Sequence, residues 1–468
     1  LEILPGGASP LYGAGGFGGA LNFVLDETKP GIDYKVGFGS YNFLESLLSL
    51  GIPIKEDRAI RLNLESRKAS GFIWNRDFDI KSFNLYSKGK DSFLFYGFVE
   101  KDFGARNFYT PRFDTEWEET RTHLFLGKKL ISFHNLLFEP AFLYRKNYDY
   151  YLLDRHNPNF YKNTHETYLY RVNLPFLLEF NRINLFFGIE GSYEKLKSTR
   201  LDEYLRRNLS FYTGLKVNPL EYLFVTFQGR YDYYVGEKDF LSWGIGLSYL
   251  IKQNLKLRAQ VNYSFRLPSA IELKYYSLGI KGNPELEAEK ALNMEAGFDL
   301  STNLLELSFT LFHRRGKDLI DWIALPNKPT LAENIAISSL GATLDLKKKI
   351  QKHLLFLSYT YINQKGDQIS YARYHGNYLR HNFTTGAIIN FPKSLSLKGT
   401  LTYHKRLNQE GVYLLDLELE KELFKRVKVS LWGKNLLDEK YYEIKYKGTD
   451  KGVLYPPQWL GIRIEGSF

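Results

Sequence analysis

Residues 254–265, NLKLRAQVNYSF, alternate without a break: Leu255, Leu257, Ala259, Val261, Tyr263 and Phe265 fall on one face, Lys256, Arg258, Gln260, Asn262 and Ser264 on the other. A period of two sustained over about twelve residues specifies an extended strand, and one longer than the roughly 5–6 residues usual in globular sheets. The pattern recurs as Leu223, Val225, Phe227, Tyr231 and Tyr233 against Thr226, Gln228, Arg230 and Asp232. It recurs again as Leu395, Leu397, Leu401 and Tyr403 against Ser396, Lys398, Thr400 and Thr402, and as Val427, Val429 and Leu431 against Lys428 and Ser430. Such strands suit either a large soluble antiparallel sheet or a sheet that crosses a bilayer. Their length favours the bilayer, which takes about 9–11 tilted residues, and so do the aromatic residues gathered at strand ends. Every backbone group in hydrocarbon has to be paired inside the sheet, so the sheet is expected to close on itself.

Composition narrows the function classes. No run of 18 apolar residues occurs, which excludes a transmembrane helix. A mean hydropathy of −0.33 is compatible with a membrane barrel, because lipid-facing and lumen-facing residues average out along each strand. With no Cys, disulfides, thiolate metal sites and cysteine nucleophiles are excluded. The formal net charge of +11 suits an anionic ligand or membrane surface. The basic residues alternate along strands instead of clustering among exposed aromatics, so nucleic acid is not an expected partner. The sequence has no HExxH, triad pattern or nucleophile elbow, and an enzyme is not expected.

Connections alternate in length. Tight turns are expected at 55–58, 88–91, 218–221, 251–254, 301–303 and 391–394, and long polar and aromatic loops at 71–78, 103–118, 151–164, 195–207, 267–290, 316–336, 364–379 and 436–457. Short turns on one side and long loops on the other is the outer-membrane barrel layout. From Ile32 to Phe468 the alternation gives about 22 strands, a size that leaves a plugged lumen, with both ends of the sheet on the short-turn side.

Three motifs add a family resemblance. The Gly-rich opening LEILPGGASPLYGAGGFGGALNFVLDE resembles the last plug segment of TonB-dependent outer-membrane transporters at Glu2, Gly6, Ser9, Leu11, Tyr12, Gly13, Gly18, Gly19 and Asn22, although Pro5-Gly6-Gly7 departs from the family's Arg-Gly-Pro order. A phosphate-binding loop is the rival reading, but GxxxxGK[ST] is absent. Residues 265–297 are similar to the family's FRxPSxxEL…GNPxLxPExSxNxExG block at Phe265, Arg266, Pro268, Ser269, Glu272, Leu273, Gly282, Asn283, Pro284, Leu286, Glu289, Asn293, Glu295 and Gly297, with Ala288 in place of Pro. The charged residues of this block are expected to brace loop to wall. The family's NLFDxxYY is echoed by Asn435, Leu436, Asp438, Tyr441 and Tyr442, and the last strand alternates through Leu460, Ile462 and Ile464 to a terminal Phe468 that resembles the outer-membrane assembly signal. GFIWNRDFD and VEKDFGARNFYTPRF resemble the cobalamin-transporter branch.

The resemblance implies residues 1–29 as the C-terminal end of a plug domain and 30–468 as the barrel, with the TonB box and most of the plug expected to precede residue 1. It implies an outer-membrane location and energised uptake of a metal chelate, cobalamin or a related corrinoid first and a ferric siderophore as the alternative; a passive porin or an adhesin stands further off. The implied partners are the chelate, the TonB–ExbB–ExbD complex, outer-membrane lipid and lipopolysaccharide, and the barrel assembly machinery. Aromatic loop residues that could cover a chelate are Trp74, Phe108, Tyr109, Trp117, Tyr148, Tyr150, Tyr151, Tyr161 and Trp322, each also suited to girdle or loop packing. Asn75, Asp77 and Asp79 alternate, so they could share one face at a strand start and offer oxygens to Ca²⁺, which the cobalamin branch uses in its outer loops; otherwise they are a solvated strand end. His156 and His165 are expected at the surface.

Overall fold

The computed structural model describes residues 2–25, 28–55, 58–277, 279–325, 328–366, 371–424, 426–446 and 449–468. They form a closed antiparallel barrel of 22 strands that begins with Gly31–Gly39 and ends with Trp459–Ser467. Each strand pairs with its neighbour in sequence, and the last pairs with the first from Asp33↔Ser467 to Gly39↔Gly461. The ends are also tied by backbone hydrogen bonds, Ile32 to Phe468 at 2.9 Å and Phe468 to Ile32 at 2.8 Å. No helix among the described residues is long and apolar enough to cross a membrane.

The wall is inside out relative to a soluble protein. Along Phe240–Lys252, Leu241, Trp243, Ile245, Leu247, Tyr249 and Ile251 are exposed while Ser242 is fully buried. Along Leu223–Tyr234, Phe227, Tyr231 and Tyr233 are exposed while Arg230, Asp232 and Tyr234 are buried. Apolar side chains thus face outward, where only lipid gives them a favourable environment, and polar ones face the lumen.

The expected turns at 88–91, 218–221, 251–254, 301–303 and 391–394 join paired strands, whereas that at 55–58 contains residues outside the described ones. Two expected loops are strands instead. Residues 195–207 lie in the hairpin Ile183–Ser198 and Asp202–Leu220, and 316–336 in the hairpin Leu305–Ile323 and Thr330–Ile350. Both hairpins run on above the wall, the first with the ion pair Lys195–Glu203 and the second with Leu319, Ile323, Ile335 and Ile337 buried together.

The Gly-rich segment folds within the ring. Glu2–Pro5 pairs with Gly19–Asn22, and Ser9–Tyr12 forms one short helical turn between them. Arg230 donates to the carbonyl of Leu11 (3.5 Å), Arg314 donates to that of Phe17 (3.2 Å), and buried Ser9 bonds the backbone of Phe265 (3.3 Å). Gly7 is pressed on the wall so closely that a Cβ would collide with Ser264 and Asn262. Gly19 holds φ +130°, a conformation that side chains rarely adopt, in the sharp return of this hairpin.

Candidate functional site

At the mouth the outer loops meet around a cavity of about 870 Å³, within the size range of small-molecule sites. The loop after Ser92–Gly104 contributes Tyr109 and Arg112, the segment after residue 370 contributes Tyr371 and Arg373, and the loop before the last strand contributes Lys445 and Tyr446. Asn435 secures the neck of that last loop. Its side chain donates to the carbonyls of Glu439 (3.0 Å) and Pro456 (2.9 Å) and accepts from the amide of Glu439 (3.0 Å), while Asp438 accepts from the amide of Gln458 (2.9 Å). The Asn-Leu-x-Asp motif is therefore a clasp between the two ends of a long loop.

Three loops are joined at Tyr446. Its hydroxyl donates to the carbonyl of Phe108 (2.9 Å) and accepts from Arg373 Nη2 (3.2 Å), whose guanidinium lies 5.3 Å from the Tyr446 ring. Burial pushes the Tyr446 phenol up to about 12, so it stays a neutral donor. Arg373 and Arg112 have no carboxylate within ion-pair distance among the described residues, and the Nε of Arg373 is buried without a hydrogen-bond partner among them. Lys445 lies 3.6 Å from an exposed Asp450. The lining thus holds aromatic and cationic groups, with Asp450 beside Lys445 and two guanidinium groups that have no carboxylate partner among the described residues.

Beneath Tyr109 lies a tyrosine–carboxylate cluster. Tyr151 donates to fully buried Glu116 (2.6 Å), Tyr109 donates to Glu118, and the rings of Tyr109 and Tyr151 meet edge to face at 5.3 Å. Burial raises the Glu116 carboxyl to about 7, against the lowering effect of the hydrogen bonds from Tyr151 and nearby amides. Burial and the neighbouring Glu118 also raise the Tyr109 phenol.

The aromatic candidates are spread over the mouth, and Tyr109 is the one that lines the cavity. Phe108 sits under the Arg76 guanidinium at 4.3 Å, Trp117 under that of Arg155 at 4.1 Å, and Tyr148 within 5.9 Å of that of Arg121. Tyr161 lies under Arg200 at 4.4 Å and reaches Tyr275 (3.5 Å), and Tyr150 is a half-buried strand residue opposite Glu119 and Thr164. Trp74 stacks on His156 at 5.6 Å on the exposed rim. Trp322 is buried with Leu286, Ile320 and Ala332.

Asn75, Asp77 and Asp79 do not share a strand face. Asn75 is buried with φ +60°, Asp77 precedes the strand Phe78–Lys88, and Asp79 lies within it, 3.3 Å from Lys81. Arg155 donates to Asn75 (2.8 Å) and to both oxygens of Asp77 (2.9 and 3.4 Å). A guanidinium therefore stands among the oxygens that could have been offered to Ca²⁺, and no group of three or more His, Asp or Glu with metal-binding geometry occurs among the described residues. His156 is the stacking partner of Trp74, whereas His165 is half buried beside Asn163, whose amide lies 2.8 Å from its Nε2. The charged residues of the 265–297 block do brace loop to wall: Arg266 holds Glu272 at 2.9 and 3.0 Å and also contacts Glu289, and Ser269 with Glu272 forms a capping box for Ala270–Lys274.

The sequence readings missed Arg112, Arg373, Lys445 and Tyr446. The one available signal was basic residues beside tyrosine in long loops.

Over residues 12–436 the chain matches the family model described as TonB dependent receptor-like, beta-barrel. No curated protein matches the sequence. Among solved structures, the fold is similar to the siderophore receptor PirA from Pseudomonas aeruginosa, at TM-score 0.77 and 14% identity over 100% of this chain and 86% of that one. It is similar to a mutant of the ferric enterobactin receptor PfeA from Pseudomonas aeruginosa, at 0.79 and 16% over 100% and 84%. It is also similar to the FrpB iron transporter from Neisseria meningitidis, at 0.80 and 13% over 100% and 87%.

Proposed function

The chain belongs to the TonB-dependent receptor family of outer-membrane β-barrels, and from that premise we propose that it takes up an anionic ferric chelate of the siderophore type. The observation that carries this reading is the cavity at the mouth, where Arg112 and Arg373 stand beside Tyr109, Tyr371 and Tyr446 without carboxylate partners among the described residues. Two guanidinium groups without carboxylate partners among the described residues favour an anion, and the tyrosine rings favour one with flat or apolar faces. The names of the structures with a similar fold, receptors for siderophores, for ferric enterobactin and for iron, agree with it.

Corrinoid uptake, the first expectation from residues 71–79 and 99–113, gains no support from these similarities. The oxygens expected to hold calcium are engaged by Arg155. Residues 2–25, lodged against the lumen wall, fit the last part of a plug on which TonB pulls.

The reading is tested by quenching of tryptophan fluorescence in the full-length receptor. The probes are a ferric tris-catecholate, a neutral ferric tris-hydroxamate and cyanocobalamin, each with and without Ca²⁺. Submicromolar binding of the ferric tris-catecholate is expected, weakened in Arg112→Ala. Tight, calcium-assisted binding of cyanocobalamin alone would overturn the proposal.

A further inference from the structure

Asp321 lies near the end of the strand Leu305–Ile323, in the hairpin that continues above the wall, and it is fully buried. A buried carboxylate is costly unless its lone pairs are satisfied. Apart from the amide of Trp322 (2.7 Å), its partners all come from one short segment of another loop. The amide of Tyr374 reaches Oδ1 at 3.1 Å, and the amide and Nδ1 of His375 each reach Oδ2 at 2.8 Å. A carboxylate can only accept, so Nδ1 of His375 carries its proton here. The backbone on the other side of Arg373 is stitched to the same hairpin, Ala324 to Tyr371 at 3.0 Å and Arg373 to Trp322 at 3.1 Å.

We propose that Asp321 is a positioning residue for the anion site: by gripping residues 374 and 375 it sets Arg373 in the cavity wall against Tyr446. The proposal rests on the reading of that cavity as the chelate site. Arg373 has a long, flexible side chain, and its place depends on the backbone from which it starts. Among the described residues its one side-chain hydrogen bond goes to the hydroxyl of Tyr446, and the rings of Tyr374 and Tyr446 lie 5.7 and 5.3 Å away; these contacts touch the guanidinium and leave the backbone from which it starts to be fixed by other groups. Asp321→Asn keeps the shape but has one acceptor oxygen where the carboxylate has two, so whichever way its amide is turned the NH2 group faces either the amides of Trp322 and Tyr374 or the two His375 donors, and one side of the grip opens without creating a cavity.

The experiment compares the full-length receptor with Asp321→Asn, Arg373→Ala and the double variant, with amide exchange of residues 371–377 as a second readout. Asp321→Asn is expected to raise exchange at Tyr374 and His375 and to weaken ferric tris-catecholate binding about tenfold, while a neutral ferric tris-hydroxamate changes less than about threefold. In the double variant the catecholate should lose no more than in Arg373→Ala alone. Fully additive losses, or faster exchange with unchanged catecholate binding, would overturn the proposal. If wild-type receptor bound neither chelate, the reading of the cavity would fall; unchanged exchange in Asp321→Asn would instead remove the grip itself, whatever the wild type binds. Should Asp321→Asn fail to assemble, His375→Ala removes one of the three bonds and is expected to give the same pattern at smaller size.

Discussion

Two arginines, a buried one in the lumen and a half-buried one at the mouth, differ in what surrounds them. Arg230 bonds Glu190 at 2.8 Å and Asp232 at 2.9 Å, Ser210 donates to Asp232 at 2.6 Å, and Nη1 of Arg230 reaches the Leu11 carbonyl at 3.5 Å. Arg373 has a tyrosine hydroxyl and aromatic faces, and no carboxylate among the described residues. The first is neutralised by carboxylates and joins the wall to the segment inside it. The second is held in place with its charge uncompensated, which is the condition for binding an anion from solution. Fold and binding are thus separated by the partners of the same residue type, and each prediction below is a way to test that separation.

The largest effect is expected at Arg230. Arg230→Met would leave Glu190 and Asp232 buried without their cation, a loss of about 3–5 kcal/mol. The temperature at which the sheet signal in circular dichroism disappears should fall by several degrees, and amide exchange in residues 2–25 should rise. Arg373→Ala should leave both unchanged. If Arg230→Met kept full stability, the contrast between the two arginines would collapse.

Next comes Glu116, which fastens the loop carrying Tyr109 and Arg112. Its carboxyl is raised from about 4.5 to about 7 when buried, so the fastened loop holds the extra proton between those values. The contribution of that proton is fully present below about pH 4.5 and is lost as pH rises through about 7, a change of at most roughly 3 kcal/mol. Protection of the amides of residues 105–116, taken relative to the base-catalysed intrinsic exchange rate at each pH, is therefore expected to fall between pH 5 and pH 8, and Glu116→Gln to flatten that profile. A profile unchanged in Glu116→Gln would assign the effect to another group.

The fold was largely legible because alternation is enforced wherever one face meets lipid. Phe227, Tyr231, Leu257 and Leu431 face outward, where a bilayer excludes charged side chains, and the strands they belong to were readable residue by residue. Above the membrane that pressure ends. Lys195, Lys197 and Glu203 look like a polar loop although they sit in a hairpin, because strand pairing there carries ion pairs such as Lys195–Glu203 in place of an alternating lipid-facing apolar face. The site was less legible for a related reason. Aromatic residues were the natural candidates for a chelate, yet Trp322 is core and Phe108 and Trp117 lie under arginines. An arginine in a loop reads as ordinary surface, and only the absence of a neighbouring carboxylate, a three-dimensional property, distinguishes Arg373. Likewise the spacing of Asn75, Asp77 and Asp79 suggested a strand, but Asn75 takes a left-handed conformation that breaks the alternation.

At the mouth, Arg373→Ala and Arg112→Ala are each expected to weaken ferric tris-catecholate binding about tenfold, or 1.4 kcal/mol, with the loss shrinking as salt is raised. Titration by tryptophan quenching at two ionic strengths would measure it. A loss independent of salt would mean the arginines act through packing instead of charge.

The smallest effect separates the cavity from its rim. Trp74 is 48% exposed, stacks on His156, and is flanked by the Arg106 guanidinium at 6.0 Å. It lies outside the cavity lining, so Trp74→Ala should change chelate affinity less than about threefold and stability by no more than about 0.5 kcal/mol. Because Trp74 also reports fluorescence, affinity in this variant is better measured by retention of radioactive iron than by quenching. Its stacked pair could nevertheless be a first landing place for a flat ligand, in which case the association rate would fall while the dissociation rate held. A tenfold loss of equilibrium affinity would be a different result: the binding surface would extend over the rim, and uncompensated charge at Arg373 and Arg112 would no longer suffice to mark the site.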